Sequence, residues 1–222
     1  MDPLSITASI IGIIGGINAV YKTIKTIKGL PKAFDEVQKD LPLVLSILRG
    51  AQNSLLDGEE ISDDEKNTIT AVLQPSCDKA EELKRIFDEV RIECEEDKDA
   101  KDWAKLRTVY RKALRGVKAS RVEHLMMDIL EGMKKLALTQ IFKSATQHDM
   151  QTLEKAIHDL STVEPSLPDS EFGTDGQIYA SQHNASGAIA QQSNVQGGIN
   201  TFNSGKYVAT GTGHTFHYGK DS

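Results

Sequence analysis

The chain has 222 residues and a formal net charge of −6, whereas a general nucleic-acid binder would carry a basic field. Two cysteines, Cys77 and Cys94, are too few for a disulfide framework and fit a reducing compartment. Residues 173–222 hold nine of the 17 glycines, no leucine, no proline and four charges that cancel, so a head and a tail of different physical character share the chain.

Residues 3–21 carry no charge. Leu4, Ile6, Ile10, Ile11, Ile13, Ile14 and Ile17 lie there among small residues, and Asp2 and Pro3 suit a helix N-terminus. As a helix the run would be ~28 Å long, close to the thickness of a bilayer core. Gly12 and Gly16 form a G-x-x-x-G, which lets helices approach closely in lipid. Lys22, Lys25, Lys28 and Lys32 follow with no acid among them, placed to meet anionic head groups. A secretory signal peptide is not expected, because its positive region would come first. Three readings are open: a central bundle helix buried on all sides, a constitutive span, and a segment buried in the soluble form and released to lipid later.

Gly29-Leu30-Pro31 reads as a stop and restart. Phe34, Val37, Leu41, Val44, Leu48, Ala51 and Leu55 then recur at helical spacing. Pro42 is either a kink or the first turn of a fresh helix capped by Asp40. A loop around residues 57–65 ends in a new N-cap. Ile69, Leu73, Ala80, Leu83, Phe87, Val90 and Cys94 mark the next helix, which Gln74-Pro75-Ser76 should break. Trp103, Leu106, Tyr110 and Leu114 give a short helix. A long one runs from Val122 to Leu160, with an interruption near residues 146–149. These features predict an all-α bundle of five to seven helices over residues 1–163.

Charge in this head is polarised. Residues 57–102 hold 17 acids against seven bases, and residues 103–127 hold seven bases against Glu123 alone. Lys105, Arg107, Arg111, Lys112, Arg115, Lys118 and Arg121 are free to meet anionic lipid, to pair with the acidic stretch, or simply to solvate a face. The sequence contains no P-loop and no hydrolase-type motif around a serine or cysteine. His214-x-x-His217 is the one close histidine pair, and no neighbouring ligand supports it. No catalytic residue, cofactor or metal is expected, and the chain does not read as an enzyme.

Residues 164–172, with Pro165 and Pro168, read as a linker. Residues 173–222 read as a disordered, amyloid-prone tail rich in Gly, Asn and Gln. Its short β-prone islands contain no proline and are almost uncharged, which is the composition of cross-β segments. One copy buries too little apolar surface to fold alone, whereas stacked copies pack. Asn194, Val195, Gln196, Gly197, Gly198, Ile199, Asn200, Phe202, Tyr207 and Phe216 are the expected amyloid core, with Asn and Gln side chains in ladders. An inert spacer and a small β-hairpin are the alternatives for this tail.

The stretch Ile14-Gly15-Gly16-Ile17 through Tyr21-Lys22-Thr23-Ile24-Lys25, then Gly29-Leu30-Pro31-Lys32-Ala33-Phe34 and Leu41-Pro42-Leu43-Val44, resembles the HeLo-like domain of filamentous fungi. That domain also occurs at the N-terminus of fungal NACHT and P-loop NTPase immune receptors. Asn194-Val195-Gln196-Gly197-Gly198-Ile199-Asn200-Thr201-Phe202 is similar to a pseudo-palindromic fungal amyloid signalling motif related to the mammalian RHIM, whose tetrad it matches in part. The resemblance implies an executor of regulated cell death. An NLR-type receptor with a matching motif would template the tail, cluster the head by self-assembly, and lead it to permeabilise the plasma membrane through anionic lipid. The protein would be cytoplasmic when inactive and membrane-bound when activated, with no nucleic-acid partner. The alternative is a non-lytic adaptor recruited through the same motif.

Overall fold

Asp2 opens helix α1 (Pro3–Ile24) by accepting the Ser5 N–H through its side chain at 3.2 Å, with Pro3 in the first turn. The computed structural model describes residues 2–57, 62–96, 101–139, 147–172, 201–204, 207–210 and 217–218. Gly29, at φ 75°, supplies the left-handed turn that ends the α1 region, and α2 (Lys32–Asp57) starts directly after Pro31. Ser62 and Glu65 form a reciprocal capping box at the head of α3 (Asp63–Glu96): the Ser62 N–H reaches Glu65 Oε2 at 3.0 Å, and the Glu65 N–H reaches Ser62 Oγ at 3.3 Å. Asp102 caps α4 (Trp103–Ala113) through the Ala104 N–H at 2.9 Å. A single 3-10 turn at Lys118–Ser120 leads into α5 (Val122–Leu138), and α6 (Gln147–Thr162) follows.

The described residues of the head thus form an all-α bundle of six helices, as the periodicity predicts. α3 packs against α1, α4 and α5, while α5 also meets α2 and α6. The core is aliphatic, with one aromatic knot where Phe34 meets Phe87, Trp103 and Tyr110 at centroid distances of 5.2, 5.5 and 5.4 Å. α3 and α5 approach closely at Gly132, where an added Cβ would collide with Ser76 Oγ.

Two local expectations are corrected. Pro75 does not break α3, and Pro42 starts no fresh helix inside α2, so Asp40 lies mid-helix rather than at a cap. Both prolines lie on the exposed side of their helices, away from the core. The apolar stripe continues past them through Leu41 and Val44, and through Leu73 and Cys77, and its packing outweighs a local cost of about 3 kcal/mol. Ser76 Oγ also donates to the Val72 carbonyl at 3.2 Å, which satisfies part of the disturbed turn.

Asp40 has a pKa pushed up to about 6, first by burial and then by the charges of Glu36 and of Asp159 on α6, with Lys39 opposing. A carboxyl whose folded pKa lies above its ordinary 3.8 contributes stability at low pH and loses it as pH rises through about 6. Asp40→Asn should therefore raise stability at pH 7.5 by about 1 kcal/mol, discounted because the group is partly solvated, and the gain should shrink towards zero below pH 5. Urea midpoints at the two pH values check this, and an equal gain at both would remove the titration as its cause.

In the tail, β1 (Thr201–Ser204), β2 (Tyr207–Thr210) and β3 (His217–Tyr218) make an antiparallel meander in the order β1-β2-β3. Phe202 pairs with Ala209, Ser204 with Tyr207, and Val208 with His217. These ten residues are the described part of the tail, and the expectation of a disordered tail otherwise falls outside the described residues. The chain divides into two units, Met1–Phe172 and Gly173–Ser222.

Candidate functional site

α1 is long and apolar enough to cross a membrane by length and composition, yet only a third of its most apolar 18-residue window is buried. The inward residues are Ile6, Ile10, Ile14, Ile17, Val20 and Ile24, at helical spacing against α3 and α2. Of the residues expected to insert, Ile6, Ile10, Ile14 and Ile17 are core, Leu4, Ile11, Ile13 and Gly16 are half-buried, and Gly12 is exposed. A helix buried on all sides is therefore not what the bundle contains. The outward face is Ser5, Ala8, Ser9, Gly12, Gly15 and Ala19, small and uncharged until exposed Lys22 in the last turn. Thr7, buried on the inner face, is satisfied by donating to the Pro3 carbonyl at 2.8 Å.

The two glycines of the G-x-x-x-G part company. A Cβ at Gly12 would meet nothing within 4 Å, whereas one at Gly16 would touch Lys84 Cε at 3.0 Å. The Lys84 stem lies over Gly16, and its ammonium pairs with Asp88 at 2.5 Å. Cys77 and Cys94 are both buried, and burial raises the Cys77 thiol above its ordinary pKa.

Lys22, Lys25, Lys28 and Lys32 are exposed, and among the described residues none has an ion-pair partner. Beside them Tyr21 donates to Asp35 at 2.5 Å, and burial, then Asp35, push its pKa up to about 12. The Lys28 N–H donates to the Lys101 carbonyl at 2.8 Å, and the Trp103 N–H to the Lys28 carbonyl at 2.8 Å. This parallel bridge ties the lysine-bearing end of α1 to the start of α4.

Residues 164–172 do not behave as a linker. They strap across the bundle beside α4 and α5, with Leu167 fully buried and Phe172 and Ser166 nearly so. Ser166 Oγ meets Tyr110 Oη at 2.5 Å, and its N–H donates to Glu123 Oε1 at 3.2 Å. Tyr110 Oη also accepts the Val122 N–H at 3.3 Å. Arg121, 4% exposed, pairs with Asp169, stands 4.0 Å from Glu123, and lies 5.0 Å over the Phe172 ring. Lys118 joins Asp169 at 3.4 Å, and Arg107 pairs with Glu171. Three of the seven bases in residues 103–127 are thus held by the strap's acids. The sequence missed this because two prolines and several small polar residues mask two buried apolar anchors. Phe172 at the end of a Pro-rich segment was the available signal.

Of the predicted amyloid residues, Phe202 falls in β1 and Tyr207 in β2. Asn194, Val195, Gln196, Gly197, Gly198, Ile199, Asn200 and Phe216 lie outside the described residues.

Residues 7–136, from the first turns of α1 to nearly the end of α5, match the family model SesA, described as an N-terminal domain on NACHT and P-loop NTPases. No curated protein and no solved structure matches the chain. The NACHT-associated part of the resemblance carried by residues 14–44 is borne out by that match. The match covers more than half of the sequence, so the chain belongs to the SesA family of N-terminal domains carried by NACHT and P-loop NTPases.

Proposed function

We propose that this SesA protein is a HeLo-like executor of regulated cell death. In this reading an NLR-type receptor templates the amyloid motif of the tail, and the clustered heads deliver α1 into the plasma membrane. Clustering raises the effective concentration of heads without any new contact. The supporting observation is the asymmetry of α1: one face of isoleucines is in the core, and the other is small, uncharged and already outside. Leaving the bundle for lipid would keep the isoleucines out of water, since lipid tails are as apolar as the core they leave. From Ser5 to Ala19 the outward face carries no charge that would have to be desolvated, and Lys22 stands at the helix end, where a lysine reaches the head groups.

A non-lytic adaptor remains the second reading, favoured by the same core residues: six inward side chains make α1 a structural helix of the folded head. Lysine at Ile10 or Ile14 cannot separate the two, because a charge at a fully buried site would collapse the bundle. Gly12→Lys with Gly15→Lys can. Neither added Cβ meets an atom within 4 Å, and lysine in place of exposed helical glycine should stabilise the folded head by about 0.5 kcal/mol per site. In a bilayer each charge near the helix centre costs about 2.5–3.5 kcal/mol. The double variant of the full chain should therefore keep its helicity and melt no lower, while dye release from anionic vesicles falls at least tenfold. Unchanged release would overturn insertion of α1. In the same assay Ile199→Asp or Phe202→Asp should block fibrils and vesicle leakage together, because a charge in a stacked rung repeats in every layer. Leakage that survives without fibrils would uncouple the tail from execution.

A further inference from the structure

The seven bases of residues 103–127 divide in the folded head. Arg107, Lys118 and Arg121 are neutralised by the strap. Lys105, Arg111, Lys112 and Arg115 are not paired among the described residues, and all four are exposed, on α4 or just past its end, with Ala104 and Thr108. The exposed residues of that face include no acid, and half-buried Asp102 at its N-terminal end has its carboxylate on the Ala104 N–H. The contrast with α3 is sharp, since its cations are paired, Lys84 with Asp88, Arg85 with Glu89 and Arg91 with Glu95 inside the helix, and Lys79 with Asp128 of α5. The Lys28–Asp102 bridge sets Lys28 and Lys101, both exposed, at the N-terminal end of the same face. Half-buried Trp103 stands at that end. At the other end the chain turns through Arg115 and Gly116, at φ 52° and 75°, into Val117, which is 48% exposed.

We infer that the outer face of α4, continued by Lys28 and Lys101, is the surface on which the folded head docks to a bilayer rich in anionic lipid, before α1 leaves the core. The inference rests on the membrane reading above and assigns it a docking surface separate from the inserting helix. Cations with an exposed valine beside them suit the head-group layer, where charge meets phosphate and apolar groups reach the boundary below. The chain as a whole carries −6, so this local basic face also orients the approach.

The test uses the full chain and flotation with vesicles of phosphatidylcholine alone or mixed with phosphatidylserine. Arg111→Ser, Lys112→Ser and Arg115→Ser together are compared with Arg49→Ser, Lys135→Ser and Lys155→Ser, which remove the same charge from exposed sites on α2, α5 and α6. Each cation near an anionic surface contributes about fivefold to partitioning, so the α4 variant should bind mixed vesicles about a hundredfold more weakly at low salt. At physiological salt the loss should remain at least tenfold. The control should stay within about threefold of the parent, and circular dichroism should find all three proteins equally helical. Equal losses in both variants, no loss in the α4 variant, or a parent protein that ignores anionic vesicles would each overturn the assignment. Tighter binding to duplex DNA or polyglutamate through the same three residues would assign the face to a soluble polyanion and overturn the bilayer. Docking is read by flotation and insertion by dye release. Protein that floats through α4 yet releases no dye would therefore sink permeabilisation and leave the docking surface standing.

Discussion

Phe34→Ala will lower the unfolding free energy by about 3–5 kcal/mol, a large part of the total stability of a domain this size. Phe34 is fully buried on α2 and touches Phe87 of α3 and both Trp103 and Tyr110 of α4. Trp103 and Tyr110 also meet each other at 5.1 Å. Removing the ring opens a cavity that three helices border, and it deletes three tilted or edge-on ring contacts worth about 0.5–1.5 kcal/mol each beyond burial. The aliphatic parts of the core cannot close that space without moving α4. Phe34→Leu should cost less, about 1–2 kcal/mol, because most of the volume is kept. Trp103 is the sole tryptophan, so its emission reports the knot directly. Urea melts followed by that emission and by helicity should agree in the parent and shift together in the variant. A loss below about 1 kcal/mol would mean that the three helices are not held at this point.

Arg121→Ala will cost about as much, roughly 3–5 kcal/mol, for an electrostatic reason. It leaves Glu123, 3% exposed, as a buried charge whose Oε2 already has no hydrogen-bond partner. It also removes one of the two partners of Asp169 and the cation above Phe172, so residues 164–172 should become open to limited proteolysis. Arg121→Met combined with Glu123→Gln should recover most of the loss, because the double change deletes both charges and the introduced amide oxygen can still accept the Ser166 N–H. Acid should loosen the same strap. Arg121 first, and then Lys118, hold the exposed Asp169 carboxyl below its ordinary value of 3.8. Its contribution is therefore present above about pH 4 and lost as pH falls through the lower folded value. Equal protease resistance of Arg121→Ala and the parent would show that the strap is not secured there.

Much of the bundle was legible because helix signals are local. Asp2-Pro3, Ser62 through Glu65 and Gly29 mark starts and a stop by hydrogen-bonding capacity and backbone freedom that belong to those residues themselves. Pro42 and Pro75 misled for the same locality: the rule that a proline ends a helix ignores the apolar stripe that carries α2 and α3 past it. The polarised charge was visible as composition, but its pairing was not. Three bases of residues 103–127 meet acids at Asp169 and Glu171, about fifty to sixty residues away, rather than the acidic stretch next to them.

By itself the sequence determined the helical class, the split between charged head and neutral tail, and an uncharged segment long enough to span a bilayer. Those properties are sums or periods over neighbouring residues. Only the tertiary structure decided that α1 is one-sided. Its outward face is Gly, Ala and Ser rather than charged, and Leu4, Ile11 and Ile13 spread apolar side chains round its flanks, so the charge pattern does not mark the two faces and burial separates them. Burial likewise turned residues 164–172 from a spacer into a strap, since Leu167 and Phe172 acquire their meaning from the α4–α5 surface beneath them. It also sorted seven equivalent-looking bases into three that hold that strap and four that face outward along α4. An ion pair depends on distance in space, and the spacing of residues along the chain carries none of it.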